Sequence, residues 1–403
     1  MLLLWALWLN SALAQETTIY RGFAEFKHPV TLPQNAWAWE PGVTLFQNLV
    51  PGTLRILGVT ELSRGIEAGE TIDSLQAYKG RAVFFYWEGR WREAEVVDPG
   101  RNLFKYEGKY LVGLPGIIAY PDLAGFSPTI GPRVVFYYQG SGPAVLSYLA
   151  RGLSWNLSYT LEDGDLAGWA SLENSLGKPL KLGKTTLVAG VVPLALGAYA
   201  PVPRISSKAL GLSVPASAPD MAEYQGESGG VYRYRLPGEV SLQPGITELP
   251  FVRSKLKPSY YWSYQGGFNT APEIWFERGY RFSAPENLAG GVVSVRDGGV
   301  FVGQAVMQDT AKGTLAKLSL GRDPEGRAER KAELLSGNKY RVSTVVRNSK
   351  TYPVEVELYE TFPQPFTLQF DGADRVPEGY RIKFVLAPGE SRTLVYTVTL
   401  QQR

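Results

Sequence analysis

Short runs of β-branched and aromatic residues, each closed by a turn signal, recur from one end of the chain to the other. Thr53-Leu54-Arg55-Ile56-Leu57, Ala82-Val83-Phe84-Phe85-Tyr86-Trp87, Arg133-Val134-Val135-Phe136-Tyr137-Tyr138, Val231-Tyr232-Arg233-Tyr234-Arg235-Leu236 and Val354-Glu355-Val356-Glu357-Leu358-Tyr359 are examples. Such residues suit a pleated, half-buried surface. The last run alternates apolar and polar, which gives a strand one buried face and one wet face. Glu88-Gly89, Glu107-Gly108, Asp163-Gly164-Asp165, Asp297-Gly298-Gly299 and Asp371-Gly372 supply turns between runs. One window, 323–335, is rich in Ala, Glu, Arg and Lys and fits a helix or a charged exposed strand equally. The pattern predicts an all-β chain with less than ~10% helix, built as several small sandwiches or barrels.

The chain has no cysteine and one histidine. That excludes disulfides, thiolate metal sites, cysteine nucleophiles and multi-histidine metal centres. His28 is left to serve any Ser-His-Asp arrangement, but no Gly-x-Ser-x-Gly accompanies it. Next to Pro29 it reads as a surface or edge-strand residue. Lys and Arg number 41 against 38 Asp and Glu, so net charge does not point to nucleic acid. The opening MLLLWALWLNSALA has no charged side chain, an apolar run and a small-x-small ending, as a secretory signal does, with cleavage expected before Gln15. The run is too short to span a bilayer, and no later segment reaches ~18 uninterrupted apolar residues. The expected destination is the periplasm, the outer envelope or the exterior. An exported chain without disulfides must draw its stability from core burial.

Composition suggests divisions. Residues 15–73 form an N-terminal β segment, 74–119 a small barrel, 130–335 a central β domain and 336–403 a compact strand set. The last has the spacing of a small immunoglobulin-like sandwich. The stretch 190–230 is rich in Ala, Pro, Ser and Gly and reads as a flexible excursion. Residues 121–132 are a second Gly/Pro-rich break.

Most residues that catch the eye have a structural reading. Trp155 and Trp169 bring large area to a core. Glu162, Asp163 and Asp165 crowd an Asp-Gly hairpin turn whose spacing matches no calcium loop. Glu273, Glu277 and Asp297 supply carboxylates that a glycosidase would need, if they converge. Residues 312–350 hold ten basic and four acidic side chains, a solvated face or a contact for anionic polymer. Two aromatic clusters stand out: Phe84, Phe85, Tyr86 and Trp87 with Trp91; and Tyr260, Tyr261, Trp262 and Tyr264, running on to Phe268, Trp275 and Phe276. In the second, four aromatics within five residues cannot share one strand face. We take Tyr260, Tyr261, Trp262 and Tyr264 as the candidate binding strip, suited to a sugar or protein partner. No cofactor, metal site or catalytic constellation emerges.

Several passages carry a family resemblance. Leu149-Ala150-Arg151-Gly152-Leu153-Ser154-Trp155, Tyr159, Leu166-Ala167-Gly168-Trp169 through Asn174, and Leu187-Val188-Ala189-Gly190-Val191 form the first. Val231-Tyr232-Arg233-Tyr234-Arg235-Leu236-Pro237 is the second. The third includes Val300-Phe301-Val302-Gly303-Gln304-Ala305, Ala328-Glu329-Arg330-Lys331, Arg347-Asn348-Ser349-Lys350 and Pro353-Val354-Glu355-Val356. Together they resemble the bacterial DUF4139 domain-containing family, related to proteins labelled mucoidy inhibitor A. Leu75-Gln76-Ala77-Tyr78-Lys79-Gly80-Arg81 resembles that family's entry into a small SH3-like barrel. The coiled-coil insertion of some relatives has no counterpart here. The resemblance implies exported envelope proteins and assigns no catalytic residue. The leading expectation is therefore a non-enzymatic envelope protein with a binding, adhesive or scaffolding role. The rival is an Asp/Glu-dependent hydrolase of envelope glycans, which requires two carboxylates about 5–10 Å apart in one cleft.

Overall fold

The computed structural model describes residues 14–67, 75–122, 131–194, 221–267, 271–362 and 364–401. The signal segment through Leu13 and most of the 190–230 excursion, residues 195–220, lie outside the described residues. Strands make up 67% of the chain and helices 4%, so the all-β expectation holds. The 323–335 window is strand, because Ala328, Arg330 and Ala332 alternate inward against outward Arg327, Glu329, Lys331 and Glu333. Within the excursion, Glu223–Ser228 is a strand paired with Val231–Arg235. Among the described residues no helix is long and apolar enough to cross a membrane.

The chain divides into two compact units, one holding the described residues up to Gln15 and Glu25–Gly152, the other Glu16–Ala24 and Leu153–Arg403. In the first unit, five strands occupy the stretch expected to be a small barrel: β1 (Ala82–Trp87), β2 (Arg90–Asp98), β3 (Leu103–Tyr106), β4 (Lys109–Val112) and β5 (Ile117–Ala119). Their order is β5-β1-β2-β3-β4. Alternation sends Val83, Phe85, Ala94, Val96 and Phe104 inward, where they close over Tyr78. The Tyr78 hydroxyl donates to the Asp122 carboxylate at 2.7 Å, which ties the module's two ends together. Elsewhere in this unit, Arg133–Gln139 pairs with Ala36–Trp39 and Thr60–Glu67. His28 is half-buried and sits 2.9 Å from the Tyr148 hydroxyl, in an aromatic stack with Phe26.

In the second unit, Leu153–Glu162 and Asp165–Asn174 form a ten-pair hairpin. Its turn, Asp163-Gly164, has φ of 48° and 87°, the left-handed pair that a tight hairpin demands. A side chain at Gly164 would come within 2.8 Å of the Leu256 carbonyl. The Asp163 carboxylate accepts from the Gly298 backbone N–H at 3.2 Å, and Asp165 pairs with Lys255 at 3.6 Å. Trp155 is fully buried, and its indole donates to the Val188 carbonyl at 3.0 Å. Trp169, expected in the core, is 43% exposed. It lies opposite Ser158, one register position off the inward-facing set.

The hairpin continues into a five-stranded sheet with Gly245–Lys255, Gly291–Asp297 and Val300–Met307, and a separate nine-stranded sheet holds β6 (Ser259–Gly267), β7 (Glu273–Ser283), β8 (Leu315–Ser336), β9 (Lys339–Arg347), β10 (Val354–Thr361), β11 (Phe366–Gln369), β12 (Asp374–Val376), β13 (Gly379–Leu386) and β14 (Ser391–Leu400). Their order is β11-β14-β9-β8-β7-β6-β10-β13-β12. The sheet encloses a core of Trp262, Phe276, Val342, Val356, Tyr380 and Val398 with their neighbours. Strands after residue 336 therefore share their sheet and core with β6, β7 and β8. The separate sandwich expected from 336 does not stand alone, because β8 runs to Ser336 and β6 pairs directly with β10.

Candidate functional site

The aromatic strip on β6 splits between two faces. Tyr260 and Trp262 point inward and are 8% and 0% exposed. Their polar tips meet one carboxylate, Asp323, which is itself fully buried. The Tyr260 hydroxyl and the Trp262 indole (3.0 Å) both donate to Asp323 Oδ2. Oδ1 accepts from the backbone N–H groups of Glu325 (2.8 Å) and Gly326 (3.0 Å), with Lys350 Nζ at 3.2 Å. The sequence dictates this local fold. Between the pairs Trp275↔Arg327 and Glu277↔Arg322, residues 323–326 of β8 face one residue of β7. Pro324 cannot donate to a ladder, and Gly326 leaves space for Trp262, whose Nε1 would lie 3.1 Å from any added Cβ. Burial raises the Asp323 pKa, but the hydrogen bonds from Tyr260, Trp262 and the backbone, together with Lys350, outweigh it and hold the carboxyl below its ordinary value. Tyr260 and Trp262, two of the four strip residues, are thus core residues with a structural duty.

The opposite face of β6 lines a groove of about 750 Å³ together with β7, β8, β10 and β13. Tyr261, Ser263 and Gln265 form its floor, with Trp275, Glu277, Lys317, Glu357, Tyr359 and Arg381 around them. Tyr264 also borders it, half-buried, with the Arg330 guanidinium 5.7 Å from its ring. Tyr261 is 3% exposed. It lies over Gly279, where an added Cβ would come within 2.8 Å of the ring, and the Arg281 guanidinium sits 5.6 Å from its centroid. Trp275 is capped by Arg322 at 3.6 Å.

Register brings two carboxylates together. Ser263 lies opposite Glu277 on one side and Glu357 on the other. Adjacent strands stand about 4.8 Å apart, so these two residues are roughly 10 Å apart at the backbone, on one face. Glu357 contacts Lys317 (2.8 Å), Arg281 (3.5 Å) and Lys383 (3.6 Å). Burial opposes its charge, but Lys317 first and then Lys383 and Arg281 hold the carboxyl below its ordinary range. Glu277 accepts from the Ser319 hydroxyl at 3.1 Å. Glu273 pairs with Arg327 (3.3 Å), and Asp297 accepts from the Tyr280 hydroxyl (2.7 Å) beside a separate, smaller pocket. The set Glu273, Glu277 and Asp297 therefore does not converge. Glu357 is the partner that sequence reasoning missed, and its strand's alternation marks only its face, not its neighbour.

The first aromatic cluster is the more exposed one. Phe85 is buried, whereas Tyr86, Trp87 and Trp91 are 42%, 40% and 54% exposed. Among the described residues no group of three or more His, Asp or Glu is placed to hold a metal ion.

The passages behind the family resemblance have structural work in this fold. Asn348 is fully buried and donates to the carbonyls of Tyr352 (2.9 Å), Leu386 (3.1 Å) and Ala387 (3.1 Å). Lys350 reaches Asp323 and Glu325. Arg330 forms a buried ion pair with Glu360, which also accepts from the Tyr396 hydroxyl at 2.8 Å. No family model matches the chain, and no curated protein matches it.

Proposed function

We propose that the chain is an exported cell-envelope protein with a non-enzymatic binding or scaffolding role, and that it engages an envelope polysaccharide through the β6 groove. The signal-like opening and the DUF4139-like passages support export to the envelope. The groove carries the binding reading. Its charges are paired with one another: Glu357 with three cations, Arg381 with Asp374 at 3.1 Å, Arg322 over Trp275. Such pairing fixes side chains as fixed donors, acceptors and flat faces, as a recognition floor needs. A protein partner is the other outcome of the test.

One observation favours a second reading. Glu277 and Glu357 flank Ser263 on one face of the groove, the kind of carboxylate pair that glycoside hydrolysis uses. In that reading Glu357, clamped by cations, is the ionised carboxylate, and Glu277 is the second carboxyl of the pair.

The test is retention of purified envelope polysaccharide by the mature protein, with Gln265→Ala and Trp275→Ala for comparison. Binding weakened about tenfold by Trp275→Ala, with no release of reducing ends, supports the binding reading. Release of reducing ends that disappears in Glu277→Gln establishes the hydrolase instead. Retention unaffected by both groove variants removes the groove from the account.

A further inference from the structure

The most open aromatic surface lies in the other unit and shares no residue with the groove. On β1, Val83 and Phe85 point into the module's core, and Phe84 and Tyr86 point out. Register sets Ile117 of β5, Tyr86 of β1 and Trp91 of β2 side by side. They are 71%, 42% and 54% exposed, a row of large apolar side chains across three strands. The Tyr86 and Trp91 rings meet in a T-shaped contact, centroids 5.3 Å apart at 62°. That contact covers one face of one ring and leaves aromatic face open to solvent. Two residues further along β2 on the same side, exposed Glu93 stands opposite Phe84. Trp87 points the other way and is already occupied: Arg92 lies 4.7 Å over its ring and is itself held by Glu88 at 2.8 Å.

We propose that this row is a saccharide-binding surface, with Trp91 stacking on the flat face of a β-1,4-linked, gluco-configured sugar and Tyr86, inclined to it, meeting the sugar's edge. Size argues against a protein partner or a second copy. Three side chains about half exposed offer roughly 300 Å², well short of the ~800 Å² per partner of a stable protein interface. Charge argues against a polyanion or an anionic bilayer, because Glu88 and Glu93 offset Arg90 and Arg92 around the hairpin. What the surface offers is an open aromatic face beside a carboxylate acceptor. A pyranose with all its substituents equatorial is the complement: axial C–H groups on both faces, hydroxyl donors around the rim. The proposal stands independently of the groove.

The experiment titrates the full mature chain with pentamers of β-1,4-linked glucose and of N-acetylglucosamine, and follows oxidative footprinting at single tryptophans. Trp91 should become protected in a saturable way by at least one pentamer. Trp91→Ala and Tyr86→Ala should each weaken that binding by roughly tenfold without lowering the melting temperature, and Trp91→Phe should retain most of it. Trp275→Ala, in the groove, should leave Trp91 protection unchanged, which separates this surface from the groove reading. Absence of Trp91 protection by either pentamer at millimolar concentration overturns the proposal. So does protection of Trp91 that disappears in Trp275→Ala.

Discussion

Asp323 shows how one side chain can set the role of its neighbours. A fully buried carboxylate is costly unless its lone pairs are filled, and here five donors fill them. Four aromatics within five residues look like a surface strip, but Tyr260 and Trp262 are there to bring an O–H and an N–H to that carboxylate. Nothing in the local sequence links residue 323 to residues 260 and 262. The alternation on β6 was readable and put Tyr260, Trp262 and Tyr264 on one face and Tyr261 on the other, yet only the bulge in β8 reveals which face is the core. A depressed folded-state pKa means that Asp323 contributes stability above its unfolded value of about 3.9. That contribution is lost as pH falls through the folded value. Glu357, also depressed, acts in the same direction. Asp323→Asn turns an acceptor toward donor into donor toward donor at the Trp262 indole and leaves Lys350 short of a partner. We expect it to lower stability at pH 7 by about 2–4 kcal/mol and to flatten the loss of stability below pH ~4. Urea denaturation of both proteins between pH 2.5 and 7 measures this. An Asn variant as stable as the parent at pH 7 would show that the carboxylate anchors nothing.

At the scale of elements, strand existence was legible and strand partnership was not. The runs at 82–87, 133–138, 231–236 and 354–359 all fall on observed strands, because period-2 patterning reports the burial of one face. β8 was ambiguous because Ala, Glu, Arg and Lys favour helices locally, while its pairing with β7, about thirty residues earlier, and its hairpin with β9 decide the matter. The groove depends on the same long-range pairing. Its floor is β6, whose Tyr261 settles on Gly279 of β7. An added methyl at Gly279 meets the Leu318 carbonyl as well as the Tyr261 ring, and neither backbone strand has room to withdraw. Gly279→Ala should therefore cost about 1–3 kcal/mol and tilt Tyr261 out of the groove floor. Thermal melts and groove-ligand affinity should fall together. A Gly279→Ala protein with unchanged melting temperature would mean that the β7–β8 contact yields freely, and that Tyr261 is not fixed by it.

The chain as a whole is not a string of successive modules, as composition suggested, but two units whose chain segments interleave. The chain enters the second unit at Glu16, leaves it after Ala24 and re-enters at Leu153. Local patterns do not show this, because residues 16–24 are tied to partners more than a hundred positions away. Tyr20 accepts from the Trp155 backbone N–H at 3.3 Å. Arg21 lies 4.3 Å over the Trp155 ring and donates to the Gly290 carbonyl at 2.6 Å. Truncating residues 16–24 thus removes part of the second unit. The two cut ends, Ala24 and Leu153, lie four residues after Tyr20 and two before Trp155, which one backbone bond holds together, so a short Gly/Ser linker can join them with little loop-closure cost. Each unit has its own buried core, around Tyr78 and Phe85 in one and around Trp155 and Trp262 in the other. We therefore expect a chain with residues 25–152 replaced by such a linker to fold, with the near-ultraviolet signature of buried tryptophan and a cooperative melt. The same chain lacking residues 15–24 should melt lower by about 2–4 kcal/mol equivalent, for loss of the Arg21–Trp155 contact and its backbone bonds. A linker chain that shows no cooperative transition would mean that the second unit does not fold without the first.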